Sequence, residues 1–492
     1  MGKKYSIKWV NSLIVLCSFL SIGFLLWTQL RYLNQFAASW DQVDYALALD
    51  RYDMMAMQPH FPGYPYFILG GFFVHLFVED KAASLTTFNI LVYFSALFPM
   101  YKLAREYVSK SLSFLLAAIL YSSSYIILTV NQPMSEGAAI GALWWYFWSI
   151  QKAMKENTRF SNVLPLFLFS VLLGIRLSYV SFAIGLGYLF YRKWRDKQYD
   201  FKKIAAYSAL AIGFQVIWVT ALIISEGSLI GFIKLSLAFT SGHFNDWGNT
   251  AIVSEVPFLE RVYILIVDTF FWNGAASQSI LLAILCIILF GIGLSRVKMN
   301  ELKNDFIQKL TLLMGASYFL WVLFAQNIDK PRHVVPVVIF IFFLVLIHVV
   351  SKKSSLFSIF CLFLLVSQTI QSALLVKEQA HQIPATYQLS QYVNSLKEPS
   401  VLYTWEESRV LDYLHVAVPH KEIKTYDVFE HDQSYYKNHN ILITNKTLEG
   451  FKSQGVKLSG KIKKVAEFRS NSLFDPVYHH IVVYKYVGKK IE

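Results

Sequence analysis

Apolar runs of bilayer length alternate with short polar stretches over the first three quarters of the chain, and basic residues cluster in alternate polar stretches. That rhythm predicts a polytopic membrane protein whose basic loops face the cytoplasm. Val10–Trp27 follows Lys3, Lys4 and Lys8, and the chain continues past it without a small-residue cleavage site. It therefore reads as a first span with the N-terminus inside. Tyr64–Phe77 is apolar over about 14 residues, short of the roughly 20 that a crossing needs. It ends in Glu79, Asp80 and Lys81, and placing it as a helix at the outer interface keeps the later basic clusters on one side. Crossings then fall at Leu85–Leu103, Leu112–Val130, Ala138–Ile150, two within Val163–Tyr191, Ala205–Ile224, Ser279–Leu294, Leu310–Phe324, Val335–Val349 and Leu356–Leu374. The total is about eleven spans, with a long outer segment at Ser225–Ser277 and the C-terminus outside.

From Lys377 the pattern changes, and no later window is long and apolar enough to span. SVLYTW, NILITN and HIVVYKYV read as strands, and Glu406–His415 and Thr447–Gln454 as helices. The expectation is an all-α membrane domain over residues 1–376, with a first outer loop at 31–84, and a small mixed α/β domain outside the membrane over 377–492.

Composition sharpens this picture. The chain is 55% hydrophobic and 16% charged, more apolar than soluble domains. Its formal charge of +13 resides in loop clusters between apolar runs, which argues for membrane orientation and against nucleic-acid binding. Cys17, Cys286 and Cys361 all lie inside apolar runs, so no disulfide framework is expected. The two halves show no echo of each other, unlike a transporter built from inverted repeats.

Under this topology the polar residues that can carry chemistry fall on the outer side. Asp41 and Asp44, three apart, share a helix face with Tyr45 and can divide into a base and an orienting group; the same spacing also describes solvated loop acids. Asp50 and Asp53 repeat the spacing and read as solvated. HFPGYP fixes the backbone ahead of an apolar helix, either as support for a catalytic loop or simply as a helix start. Glu136 stands at the outer end of a span, where a carboxylate is costly unless it faces a cavity or the headgroups. Arg176 and Arg332 are placed for anion capture or for headgroup anchoring, and Lys234 lies in the long outer segment. His60, His243 and His333 supply metal-ligand chemistry, but no pair has ligand spacing within one element, so a divalent cation is possible without support from spacing. No P-loop, GxSxG or HExxH is present.

The motifs W-D-Q-V-D-Y-A (from Trp40) and H-F-P-G-Y-P-Y-F-I-L-G-G (from His60), S-E-G around Glu136 and K-P-R-H-V-V-P around Arg332 resemble those of the GT-C superfamily of polyprenyl-phosphate-sugar-dependent glycosyltransferases, the group of the protein O-mannosyltransferases and the aminoarabinose transferases. The resemblance implies a GT-C fold and Asp41 as the catalytic base, with Asp44 and Glu136 as further acids. It implies Arg332, with Arg176 or Lys234, at the donor phosphate, and Tyr45, His60, Tyr64 and His333 as substrate-positioning groups. Gln42 stands where relatives carry a second acid, which bears on any metal-binding or paired-acid role. The partners so implied are a polyprenyl-phosphate-linked sugar, the bilayer and a cell-envelope acceptor, while the lack of cysteines in the outer loops and of a eukaryotic retention signal favours a bacterial plasma membrane. A flippase for a lipid-linked sugar and a surface polysaccharide polymerase or ligase are the alternatives.

Overall fold

A computed structural model describes residues 2–297, 302, 304–350 and 355–488. Lys298, Lys303, Lys352 and Lys353, basic positions expected to face the cytoplasm, lie outside the described residues, as do the side chains of Lys3, Lys4 and Lys8. The chain divides into two compact bodies, Met1–Gln35 with Leu47–Ala380, and Phe36–Ala46 with His381–Glu492.

The first body is helical and is a multi-pass membrane domain. Six of its helices are long and apolar enough to cross a bilayer, and two bent pairs raise the number to as many as eight among the described residues. The three other expected crossings coincide with Glu136–Glu156, Arg159–Ile175 and Ala183–Arg195, which fall short on length or hydropathy. Leu13, Phe19, Ile212, Ile217, Ile284 and Ile359 are exposed on these helices, the surface that a lipid environment covers. Pro65–His75 is a helix of 11 residues with proline in its first turn, too short to span.

The crossing expected over Leu112–Val130 is broken: Lys110–Tyr121 and Ser124–Val130 meet at 61°. Polar groups freed at the break find partners on the Ser355–His381 helix. Ser122 Oγ donates to Gln368 Oε1 at 3.1 Å, Ser124 Oγ to the Gln368 carbonyl at 3.2 Å, and Ser372 Oγ to the Ser122 carbonyl at 3.0 Å. Inside a membrane such groups must be satisfied within the protein.

Ser225–Ser277, expected as a long outer loop, is mostly helical, with helices at Leu229–Gly242 and Phe258–Tyr263 and a wider helix at Ile264–Ala275. Each apolar run here is shorter than a span, so a length rule passes over it, yet Ser228 caps the first through the Gly231 N–H at 3.0 Å. Phe258–Ala275 and Ile280–Leu294 then meet at 111°.

The second body is a five-stranded sheet with helices on both faces. Its strands are β1 (Ser400–Thr404), β2 (His420–Glu422), β3 (Asn440–Thr444), β4 (Ile462–Arg469) and β5 (His480–Tyr486), in the order β2-β1-β3-β5-β4. The first three run parallel, and β5 and β4 add antiparallel. Successive side chains point to opposite faces, so one layer joins Leu402, Leu442 and Val483 to Leu389 and Leu411, while the other joins Val401, Tyr403, Ile441 and Ile443 to Phe429 and Phe451.

One charged group is buried at the end of β1. Glu407 accepts from Thr404 Oγ1 at 2.9 Å and from the Trp405 N–H at 3.0 Å, and burial raises its carboxyl above the ordinary 4.5. A carboxyl raised on folding holds its proton longer in the native state, so its contribution to stability is full below pH 4.5 and is lost as pH rises through the folded value. Glu407→Gln keeps an acceptor oxygen and removes the titration. Thermal unfolding of the solubilised protein between pH 5 and 8 should therefore show a weaker fall of stability with pH in the variant, and identical pH profiles would contradict the assignment.

Candidate active site

The first body gathers three of the candidate residues. Arg332 Nε lies 2.8 Å from Glu136 Oε1 and Arg176 Nη2 lies 3.1 Å from the same oxygen. The Glu136 side chain is 1% exposed, and those of Arg176 and Arg332 are 9% and 13% exposed. Arg176 also donates from Nη1 to Ser135 Oγ at 2.9 Å. A carboxylate this deeply buried requires a partner, and here it has two guanidiniums. Two cations on one anion leave one net positive charge in a low-dielectric setting, which favours a further anion.

The elements that hold these groups are specific. Glu136 begins the Glu136–Glu156 helix, whose start is fixed by Asn89 from the Lys81–Ser95 helix. Asn89 Nδ2 donates to the carbonyls of Gln132 at 2.7 Å and Met134 at 2.8 Å, and its Oδ1 accepts from the Ala138 N–H at 2.8 Å. Gly137 makes room for that contact, since a Cβ there would lie 2.8 Å from Asn89 Cβ. Nothing in hydropathy or motif marks Asn89. Each buried group left unpaired costs about 1–3 kcal/mol. Asn89→Leu is accordingly expected to lower the melting temperature of the purified protein by several degrees, and an unchanged melting curve would contradict this.

Arg176 ends the Arg159–Ile175 helix in an extended conformation, φ −154°. Arg332 follows Pro331 in a single 3₁₀ turn, Pro331–Val334, ahead of the Val335–Val350 helix. The loop before it is pinned by Arg261, whose Nε donates to the Leu323 carbonyl at 2.8 Å and Nη2 to the Gln326 carbonyl at 2.7 Å. Thr269 Oγ1 adds a bond to the Ile328 carbonyl at 2.8 Å. Arg261 and Thr269 lie in the segment expected as a loop, and sequence reasoning passed over both.

His333 stays beside the cluster, where both arginines act on it, and the remaining candidates in this body have partners of their own. His333 Nδ1 donates to the Asn327 carbonyl at 2.9 Å, which fixes its tautomer. His60 Nε2 lies 3.1 Å from Tyr64 Oη, and its ring stacks on Phe239 at 5.8 Å. Tyr64 occupies the left-handed region at φ 47°, next to Gly63 at φ 86°. The Gly63 carbonyl accepts from Tyr52 Oη at 2.7 Å, and a Cβ at Gly63 would run into that hydroxyl. His243 Nε2 meets the Ala325 carbonyl at 2.8 Å. Lys234 is exposed on the Leu229–Gly242 helix and, among the described residues, forms no ion pair with Glu136. Asp50 is exposed and pairs with Lys81, while Asp53 folds its own turn by accepting from the Met55 and Ala56 N–H groups, each at 3.1 Å. Among the described residues, no three His, Cys, Asp or Glu side chains gather as a metal-ligand set. A cavity of about 730 Å³ lined by Ile184, Phe244, Leu313, Leu320, Trp321 and Phe324 is almost wholly apolar, and the helix on which Leu313 to Phe324 stand runs directly into the loop carrying Arg332.

In the second body, Trp40–Ala46 is the start of a helix that runs to Ala48, with Asp41 half-buried in its first turn. Gln42 Oε1 turns back to accept from the Ala38 N–H at 2.7 Å, a bond to the chain leading into its own helix that occupies its carbonyl oxygen. Tyr45 is buried. Asp44 is fully buried and accepts from Arg409 Nε at 2.9 Å.

No protein-family model matches this chain. No curated protein matches it either. Among solved structures, the chain is similar to ArnT from Cupriavidus metallidurans bound to undecaprenyl phosphate, at 9% identity over 97% of this chain and 99% of that one, with a TM-score of 0.54. It is similar to the apo state of that protein at 9% identity, covering 99% and 98%, with a TM-score of 0.50. It is also similar to the oligosaccharyltransferase of Archaeoglobus fulgidus in complex with Zn and sulfate, at 11% identity over 88% of this chain and 67% of that one, with a TM-score of 0.50. At such identities the likeness is one of fold: the chain carries the GT-C fold over nearly its whole length.

Proposed function

We propose that this GT-C-fold protein is a membrane glycosyltransferase that moves a sugar from a polyprenyl-phosphate donor to an acceptor hydroxyl on the outer face of a bacterial plasma membrane. The observation that carries this reading is the buried Glu136–Arg176–Arg332 cluster, whose excess positive charge suits a phosphate. The apolar cavity suits an isoprenoid chain, and the structural neighbour ArnT is bound to undecaprenyl phosphate.

In this mechanism Arg332 and Arg176 take the donor phosphate, with Glu136 holding both guanidiniums in place. The acceptor oxygen attacks the anomeric carbon as its proton passes to Asp41. The bond from the anomeric carbon to the phosphate oxygen breaks, and the bonding pair leaves on the polyprenyl phosphate, where the arginines stabilise the developing charge. A single displacement inverts the anomeric centre. His60, Tyr64 and His333 position substrate, whereas Tyr45, expected among them, is buried and instead supports the helix that carries Asp41, and the C-terminus lies outside the cell.

The test is donor consumption. Purified protein supplied with polyprenyl-phosphate sugars and an envelope extract should release free polyprenyl phosphate. Donor that stays intact across sugars and acceptors would contradict the proposal, and donor that only changes leaflet would identify a flippase.

A further inference from the structure

Asp44 presents a problem that the proposed chemistry does not solve. Its side chain has no exposed surface, whereas a proton acceptor must reach its substrate. Burying a carboxylate is expensive unless a cation is fixed beside it. Arg409 supplies that cation from the Glu407–Tyr413 helix, 365 positions away in sequence, with Nε 2.9 Å from Asp44 Oδ1. Its guanidinium also lies 5.8 Å from the centre of the Trp40 ring, on the same short helix as Asp41 and Asp44.

The rest of the Phe36–Ala46 segment is tied down as closely. The Ala37 N–H donates to Tyr387 Oη at 3.1 Å, Thr386 Oγ1 donates to the Ala38 carbonyl at 3.1 Å, and the Phe36 and Tyr387 rings meet edge to face at 5.1 Å. The acid-bearing segment is thus an integral part of the sheet body. Asp41 stands three residues before Asp44 and so on the same helix face. Whatever holds Asp44 therefore sets the direction in which Asp41 points.

We propose that Arg409 is a positioning residue: through Asp44 and Trp40 it orients the helix that presents Asp41, and this makes the C-terminal body a working part of the transferase. The inference rests on Asp41 being the base. It assigns Asp44 the role of anchor and gives the C-terminal body a part in placing the base. A displacement of about 1 Å at a reacting group can cost on the order of 100-fold in rate.

The experiment uses the full-length protein and compares Arg409→Met, Arg409→Lys, Asp44→Asn and the Asp44→Asn/Arg409→Met double variant. The readouts are kcat per folded molecule, donor KM and thermal unfolding. Arg409→Met should lower kcat by roughly 10- to 100-fold with donor KM changed by less than about twofold. Arg409→Lys, which keeps the charge, should recover part of the loss, and the double variant should be no worse than the poorer single one because both remove one contact. If Arg409→Met folds poorly, Arg409→Gln, which retains an N–H donor but no charge, takes its place and should show a kcat below that of Arg409→Lys with donor KM again changed by less than about twofold. Variants that melt earlier but keep wild-type kcat per folded molecule would overturn the proposal and leave Arg409 a purely structural residue. Full activity in Asp41→Asn would instead overturn the underlying mechanism, so the two failures are distinguishable.

Discussion

Asp41→Asn is expected to cut sugar transfer by about 10²–10⁴-fold, the range supplied by a positioned proton acceptor, without loss of expression or change in melting temperature. Asparagine matches aspartate in shape and can still accept a hydrogen bond, so the substitution removes little except the ability to take a proton. The half-buried side chain lies in the first turn of its helix, where a neutral replacement disturbs little packing. Asp50→Asn serves as the control. That carboxylate is exposed and makes a surface pair with Lys81, an interaction worth about 0–1 kcal/mol, so turnover should be unchanged. The measurement is the initial rate of transfer from a polyprenyl-phosphate sugar with each purified variant. Comparable rates for Asp41→Asn and wild type would remove Asp41 from the mechanism.

The second large effect is expected at the ion cluster, where substitutions at Arg332 and at Glu136 separate binding from folding. Arg332→Met should lower transfer by about 10²–10³-fold, as loss of a donor aimed at developing charge does elsewhere. The protein should still fold, because Glu136 retains Arg176 at 3.1 Å. Arg332→Lys should recover little, since an ammonium cannot offer the planar pair of N–H groups that matches a phosphate. Glu136→Gln should behave differently. It leaves two buried guanidiniums without their shared carboxylate, and breaking a buried pair from one side costs about 3–5 kcal/mol. Its dominant symptom should be a lower melting temperature and a poorer yield. Thermal unfolding measured beside transfer rates distinguishes the two outcomes, and equal melting of Glu136→Gln and wild type would contradict the structural role of that carboxylate.

The parts of this architecture that were legible in the sequence are periodic. β1, β3 and β5 fall within SVLYTW, NILITN and HIVVYKYV because a strand covered on both faces is a short continuous apolar run. The membrane character followed from run length, and the GT-C fold from four short motifs. Charge pairing in three dimensions was legible only in part. Arg176, Arg332 and Glu136 were each marked by a charge at the edge of an apolar run, and the structure joins them. Lys234, expected in the long segment after the Phe201–Glu226 helix, lies exposed on a helix, because a helix face cannot be read from one lysine in an apolar stretch.

The residues that escaped have no periodic signature. Asn89 is one polar side chain within an apolar helix, Arg261 lies in a segment read as a loop, and Arg409 is hundreds of positions from its partner. Hydropathy and spacing describe what neighbours in sequence share, whereas these three act on distant backbone or distant charge. Gln42 shows the converse. It departs from the GT-C motif, and in the structure its carbonyl oxygen has a local task, holding the Ala38 N–H just ahead of its own helix.

Bond-making at the anomeric carbon is what separates a transferase from a flippase. The most direct measurement is a single turnover in proteoliposomes with a polyprenyl-phosphate sugar carrying ¹³C at that carbon, followed by NMR of the product and quantification of the released lipid. The predicted result is one free polyprenyl phosphate for each sugar transferred, with the anomeric configuration inverted and the reaction absent in Asp41→Asn. Intact sugar-lipid recovered from the opposite leaflet, or a product with retained configuration, would contradict it.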